Sequence, residues 1–192
     1  MKKGYVYTIV FIIAVSAVFS GLLAGVNAAY KNKIEINELN AEKASILYSM
    51  GIDAGDNAVT VFNERVTKEN AAGMDFYSAS DDQGVTVYSV PFEGAGLWGT
   101  IRGYIAVDSS LTRIMGIAFT EQNETPGLGG RIEEEWYKEQ FRGLEIGPAI
   151  EYGEDTGIDA ITGATSTSNA VLKIMNEFIA TTLKELEEAD GK

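Results

Sequence analysis

From Gly4 to Tyr30 the chain carries no charged residue, and nothing else in the sequence narrows its folding options as far. Tyr5 to Val26 is mostly Val, Ile, Phe, Ala and Leu. As a helix these positions reach about 33 Å, enough to cross a hydrocarbon core. A cleaved secretory signal is the competing reading, because Val26-Asn27-Ala28 resembles a small-residue cleavage site. The run is longer than the ~7–15 apolar residues of a signal core, which favours a retained anchor. The expected organisation is therefore an N-terminal anchor over residues 1–30, with residues 5–26 in the lipid bilayer. Lys2 and Lys3 favour a cytoplasmic N-terminus, while Lys31 and Lys33 on the far side pull against it. The expectation is a single-pass protein of the inner (cytoplasmic) membrane with its soluble domain on the extracytoplasmic side.

All the acidic residues lie after the apolar run, so the body is more acidic than the net charge of −13 of the whole 192-residue chain. Such a surface repels nucleic-acid phosphates, and no nucleic-acid partner is expected. The chain has no cysteine and no histidine. That excludes disulfides, thiolate metal sites and thiolate-held iron–sulfur clusters, and removes the commonest zinc, haem and general-base side chain. Ser-His-Asp and Cys-His catalysis are unavailable as well. Redox chemistry here requires an organic cofactor or a carboxylate-bound metal, and no metal site is expected.

Residues 31–70 read as a membrane-proximal helical segment. Ile34, Ile36, Leu39, Ile46, Leu47 and Met50 suggest a helix ending near Gly51. Asp56 is a candidate cap for a second helix with Val59, Phe62 and Val66 on one face. Residues 71–192 read as an α+β domain, an antiparallel sheet packed with helices. Met74–Ser78 and Val85–Val90 flank the turn cluster Asp81-Asp82-Gln83-Gly84, and Thr100–Val107 and Arg113–Phe119 flank Asp108-Ser109-Ser110. These runs suit a half-buried sheet. The apolar spacing of Val171, Ile174, Met175, Phe178, Ile179, Leu183 and Leu186 predicts the helix that covers it. Arg131–Arg142 reads as a short amphipathic helix with Ile132, Trp136, Tyr137 and Phe141 inward, and Glu185–Lys192 as a solvated tail.

Three loops stand out. Gly94-Ala95-Gly96-Leu97-Trp98-Gly99 and Glu124-Thr125-Pro126-Gly127-Leu128-Gly129-Gly130 are glycine-rich around bulky apolar residues. A simple turn needs fewer glycines, so a flat group approaching the backbone competes with the plain-turn reading. The third, Asp159–Ser168, is small and hydroxyl-rich and feeds the last helix. Ser166, Thr167 and Ser168 are each candidate N-caps, and a helix start with small neighbours also seats a phosphate. Together the loops define a cleft with an apolar slot and an anion seat, which suits flavin mononucleotide (FMN) or another phosphorylated aromatic ligand.

Thr162-Gly163-Ala164-Thr165-Ser166-Thr167-Ser168 resembles the Ser/Thr-Gly-Ala-Thr-x-Thr-Ser motif of the FMN-binding domain family. That family includes the G subunit of the Rnf electron transport complex and the C subunit of the Na+-translocating NADH:quinone reductase. Glu124-Thr125-Pro126-Gly127-Leu128-Gly129 is similar to its second motif, and Gly96-Leu97-Trp98-Gly99 to a third, more typical of the quinone-reductase protein. The compact length looks more like the Rnf protein, so the complex stays open. The resemblance extends from the anchor to the final helix. It departs at Ala160, where Gly is frequent, and at Thr162, where Ser is frequent.

The resemblance implies FMN covalently esterified through its phosphate to Thr165. Asp159 matches the residue that opens the sequence read by a flavin transferase. Glu124, Thr125, Gly127 and Leu128 match the motif that lies against the isoalloxazine ring, with Leu97 and Trp98 adding to that wall. Thr162, Gly163, Ala164, Ser166 and Thr167 complete the cofactor loop. The implied role is an electron-transfer subunit of a redox-driven ion-translocating oxidoreductase, with other membrane subunits as partners. A threonine hydroxyl needs a base to act as nucleophile, and no His is present, so a separate transferase is expected to make the ester. No Gly-x-Gly-x-x-Gly turn between strand and helix is expected, so NADH binding is not. A free-standing anchored flavoprotein for extracellular electron transfer, a cofactor-free adhesion or sensor domain, and a threonine-nucleophile hydrolase are the alternatives.

Overall fold

The structure is a computed structural model. It describes residues 2–190 other than Asp56, Ala72, Glu154 and Asp155, and for Lys2, Lys3, Ala71 and residues 187–190 the backbone alone. The helix α1 runs from Lys2 to Met50. The chain divides into two units, Met1–Asn40 and Ala41–Lys192.

In the first unit, α1 is the one helix among the described residues that is long and apolar enough to cross a membrane, and its apolar stretch is unburied. Ile34, Ile36 and Leu39 are exposed too. The charges of Lys2 and Lys3, on which the expected orientation rests, lie outside the described side chains.

In the second unit, α1 stops where Gly51 takes a φ of +72° and its amide bonds back to the Tyr48 carbonyl. A short α2 follows (Ala58–Arg65), capped by the Asn57 side chain accepting from the Thr60 amide at 3.2 Å. The expected cap, Asp56, lies outside the described residues. The packed face of α2 is Ala58, Val61, Phe62 and Val66, so Val61 takes the place expected for Val59. Then come β1 (Thr67–Ala71), β2 (Met74–Ser80), β3 (Thr86–Ala95), β4 (Thr100–Asp108) and β5 (Ile114–Glu121). They form one antiparallel meander in the order β1-β2-β3-β4-β5. The expected strands and both turns are present. The strand β1 is additional, in a polar run (Thr-Lys-Glu-Asn-Ala) with no alternating apolar signal.

The sheet is covered on both faces, where the sequence suggested one. Alternation along β4 shows why: Ile101, Ile105 and Val107 join one core, Tyr104 and Ala106 the other. The first core is closed by α4 (Thr165–Glu177) and by Ile132, Tyr137 and Phe141. The second is closed by Ile46, Leu47 and Met50 at the end of α1. Between these layers Ser49 and Ser89 share a buried hydroxyl hydrogen bond of 2.8 Å. Arg142 ties the layers together, donating to the carbonyls of Met115 (2.5 Å) and Tyr48 (3.1 Å) and to Glu139 (2.8 Å).

Two helical expectations change form. The stretch 131–142 is a 3-10 turn (Gly129–Glu133) followed by a short α3 (Glu135–Glu139), broken by extended backbone at Glu134. Ile132, Tyr137 and Phe141 are buried as expected, but Trp136 faces outward, 41% exposed. It stacks under Arg131 and donates its indole N–H to Glu134, contacts that hold it at the surface. After α4 the helix widens into a π turn (Phe178–Thr182) and continues as α5 (Leu183–Asp190). Phe178 and Leu183 are five residues apart and both buried, and the π turn is what brings them to one face. The tail expected to be solvated from Glu185 onward instead begins inside α5, where Leu186 is buried in the first core, and it extends past the described residues.

Leu47 is fully buried in the second core. Leu47→Ala should destabilise the chain by about 2–5 kcal/mol, measured by denaturant unfolding of detergent-solubilised protein.

Candidate functional site

The three loops singled out in the sequence line one cleft of about 330 Å³. Its walls are Leu97 and Trp98 from the β3–β4 turn, Glu124, Thr125, Leu128 and Gly129 from the loop after β5, and Gly163 to Thr167 at the start of α4. Thr162, Gly127 and Asp159 do not line it. Thr162 is exposed in the turn before α4, and Asp159 is exposed further upstream. Gly127 and Gly163 take φ values of +74° and +82°, so both turns require glycine. The segment Gly94–Gly99 has Gly-x-Gly-x-x-Gly spacing but joins two antiparallel strands, so it makes no dinucleotide turn.

The helix α4 begins at Thr165, with Ala164 as its N-cap and no capping side chain. Ser166, Thr167 and Ser168 therefore lie inside the first turn and are not caps. Thr167 and Ser168 are buried and reach elsewhere. The Thr167 hydroxyl donates to Glu124 Oε2 at 2.5 Å, and Ser168 Oγ accepts from the Ile161 amide at 3.0 Å. The first backbone bond of the turn is Ser168 N–H to Ala164 O. The amides of Thr165, Ser166 and Thr167 thus open the helix without a carbonyl one turn back, the donor set that suits an anion. The Thr165 and Ser166 side chains are exposed, and among the described residues neither hydroxyl has a hydrogen-bond partner.

The opposite wall is apolar and open. Leu97, Trp98 and Leu128 are 54%, 67% and 45% exposed. Below them Glu124 is 4% exposed, with Oε1 accepting from the amides of Leu97 (2.8 Å) and Trp98 (3.0 Å). The resemblance placed Glu124 against a flavin ring. In the structure its carboxylate is spent on the loops themselves. An apolar wall facing a patch of free amides and an unpaired hydroxyl fits a ligand with a flat ring at one end and a phosphate at the other.

Sequence reasoning missed the parts that hold α4 in place. Tyr137 donates to Tyr152 (2.7 Å), which donates to the Ser168 carbonyl (2.8 Å). Burial pushes both phenols above their ordinary pKa, with the neighbouring Tyr152 adding to the shift at Tyr137. Gln140 grips the Asp159 backbone, accepting from its amide at 2.7 Å and donating to its carbonyl at 3.4 Å. No local pattern marks these pairs, because their partners are far apart in the chain.

Residues 96–180, a span that opens at the first cleft loop and ends beyond the last, match the family described as FMN-binding domain. The C subunit of the Na+-translocating NADH-quinone reductase from Vibrio vulnificus is 28% identical, over 78% of this chain and 70% of its own. Its Pasteurella multocida counterpart is 38% identical, over 50% of this chain and 41% of its own. Both are subunits of an oxidoreductase complex. Among solved structures, NqrC of Shewanella oneidensis superposes with a TM-score of 0.63 at 20% identity, over 79% of this chain and 97% of that one. The C subunit of the Parabacteroides distasonis Na+-translocating NADH-quinone reductase gives 0.62 at 26% identity, over 80% and 95%. The chain thus shares the fold of these proteins, and the span matched by the family takes in all three cleft loops.

The clamp on α4 gives a pH test. The folded-state pKa of Tyr137 lies above the ordinary value of about 10, so its contribution to stability is complete below that pH and is lost as pH rises beyond it. Tyr137→Phe should flatten the alkaline fall in stability and cost about 0.5–1.5 kcal/mol near neutrality. Denaturant unfolding on both sides of about pH 10 checks it.

Proposed function

We propose that this protein is an electron-transfer flavoprotein subunit of a membrane complex of the Na+-translocating NADH-quinone reductase type, with FMN esterified to Thr165. The observation that carries the reading is the convergence of three family motifs, spread over some seventy residues of sequence, on one cleft at the start of α4. The relatives named above are quinone-reductase subunits, which favours that complex over the Rnf type.

Bound in this cleft, FMN supplies reversible uptake and release of electrons. The chain's own residues do the rest. The amides of Thr165, Ser166 and Thr167 hold the phosphate, and the helix start favours its negative charge. Leu97, Trp98 and Leu128 shield the ring from water. Thr165 Oγ carries the ester, and the ester keeps the cofactor on the chain. Among the described residues no base bonds the Thr165 hydroxyl, which supports ester formation by a separate flavin transferase with Asp159 exposed for recognition. Within the cleft, the threonine beside a carboxylate is Thr167, but at 2% exposure it is out of reach of a substrate, which weighs against a threonine-nucleophile hydrolase there. The apolar stretch of α1 anchors the domain at the membrane and packs against partner subunits, with the domain on the extracytoplasmic side.

The test is expression beside a flavin transferase followed by denaturation. Flavin fluorescence should comigrate with the chain, whose intact mass should exceed the unmodified one by FMN less one water. Thr165→Ala should abolish both signals and Ser166→Ala should keep them. Covalent flavin on Thr165→Ala would overturn the assignment. Co-purification with multispan subunits supports the complex, and isolation of the loaded chain alone from native membranes supports a free-standing flavoprotein.

A further inference from the structure

We infer that Glu124 is a positioning residue that couples the first turn of α4 to the Leu97–Trp98 wall, so that the phosphate end and the ring end of the cleft move as one unit. The ligand named here rests on the FMN reading above; the mechanical coupling does not.

Three donors converge on this carboxylate, the Leu97 and Trp98 amides on Oε1 and the Thr167 hydroxyl on Oε2. Its own amide donates to Gln122 Oε1 at 2.6 Å, which fixes the loop that carries it. A set made only of donors is what an ionised carboxylate accepts. Burying a carboxylate is costly unless its oxygens are satisfied, and hydrogen bonds to a charged acceptor are about twice as strong as neutral ones. The seat is also shaped for it. A Cβ at Gly96 would come within 2.5 Å of Oε1, and one at Gly129 within 2.9 Å of Oε2 and 2.5 Å of Thr167 Oγ1. Glycine at both places lets the loops close on the carboxylate.

The wall has little else to hold it. Leu97 and Trp98 are mostly exposed, so burial contributes little to fixing them. Among the described residues, the backbone bond that closes their turn is Gly96 N–H to Gly99 O at 2.7 Å. Hydrogen bonds to Glu124 therefore set where the apolar wall stands, and Thr167 sets where Glu124 stands. Thr167 is two residues from Thr165 on the same turn. A group attached at Thr165 acts on the wall through Thr167, Glu124 and the two amides in series.

The experiment uses the detergent-solubilised full chain, made without and with the flavin transferase. In the flavin-free protein, amide hydrogen exchange is read at Leu97, Trp98 and, as a reference in the core, Ile105. Thr167→Val removes the hydroxyl and keeps the shape. It should speed exchange at Leu97 and Trp98 by about tenfold or more and leave Ile105 unchanged. Glu124→Ala should do at least as much, and Glu124→Gln should recover part of the protection, because its amide oxygen still accepts from both backbone groups. In the flavin-loaded protein, Thr167→Val should lower the fluorescence anisotropy of the flavin that is attached. Wild-type exchange at Leu97 and Trp98 in Thr167→Val would overturn the coupling, and so would equal acceleration at all three amides. If no flavin attaches to the wild-type chain, the FMN reading falls, and the exchange arm still decides the coupling.

Discussion

A five-stranded antiparallel sheet that is apolar on both faces has to be covered twice, and the rest of the second unit follows from that. The end of α1 and the short α2 close one face, and α4 with the 129–141 segment closes the other. The second cover brings the start of α4 to the end of the sheet where the β3–β4 turn and the loop after β5 emerge. The cleft is thus a consequence of core burial. Its walls are the loops left over where two layers meet, which is where ligand sites commonly form.

Within the cleft the polar groups divide into two kinds. Glu124 and Thr167, with Ser168 just behind the wall, are buried and bonded to the protein, so they build the site. Thr165 and Ser166 are exposed and free among the described residues, so they are the ones offered to a ligand. Residues one or two apart in a hydroxyl-rich string serve opposite ends because helical rotation points successive side chains about 100° apart. The Tyr137–Tyr152 pair and Gln140 add rigidity from behind. Among the described residues no buried side-chain nitrogen or oxygen lacks a partner, which suits a site that must hold its shape.

Much of this was legible in the chain. Alternation in β4 and β5, the turn clusters at Asp81–Gly84 and Asp108–Ser110, and the long apolar run gave the sheet and α1 directly, because each is a local periodic signal. The three site loops were legible as excess glycine and hydroxyl content. The strand β1 was not, since Thr-Lys-Glu-Asn-Ala pairs through its backbone and carries no apolar face. Trp136 misled because a large aromatic at helical spacing reads as core, whereas a neighbouring Arg131 and Glu134 hold it outside. The caps expected at Ser166–Ser168 failed because the helix starts earlier, at Thr165, and because Glu124 and the Ile161 amide claim the hydroxyls of Thr167 and Ser168.

The sequence by itself determined the apolar helix, the strand pattern, the absence of thiol and imidazole chemistry, and the hydroxyl-rich motif around Thr165. These depend on residue type and near spacing alone. Only the tertiary structure decided that the sheet is buried on both faces, that Glu124 fastens the cleft from within, and that of the clustered hydroxyls two face outward and two face in. Those outcomes depend on which distant groups arrive at the same place once both cores are closed, and spacing along the chain does not record that.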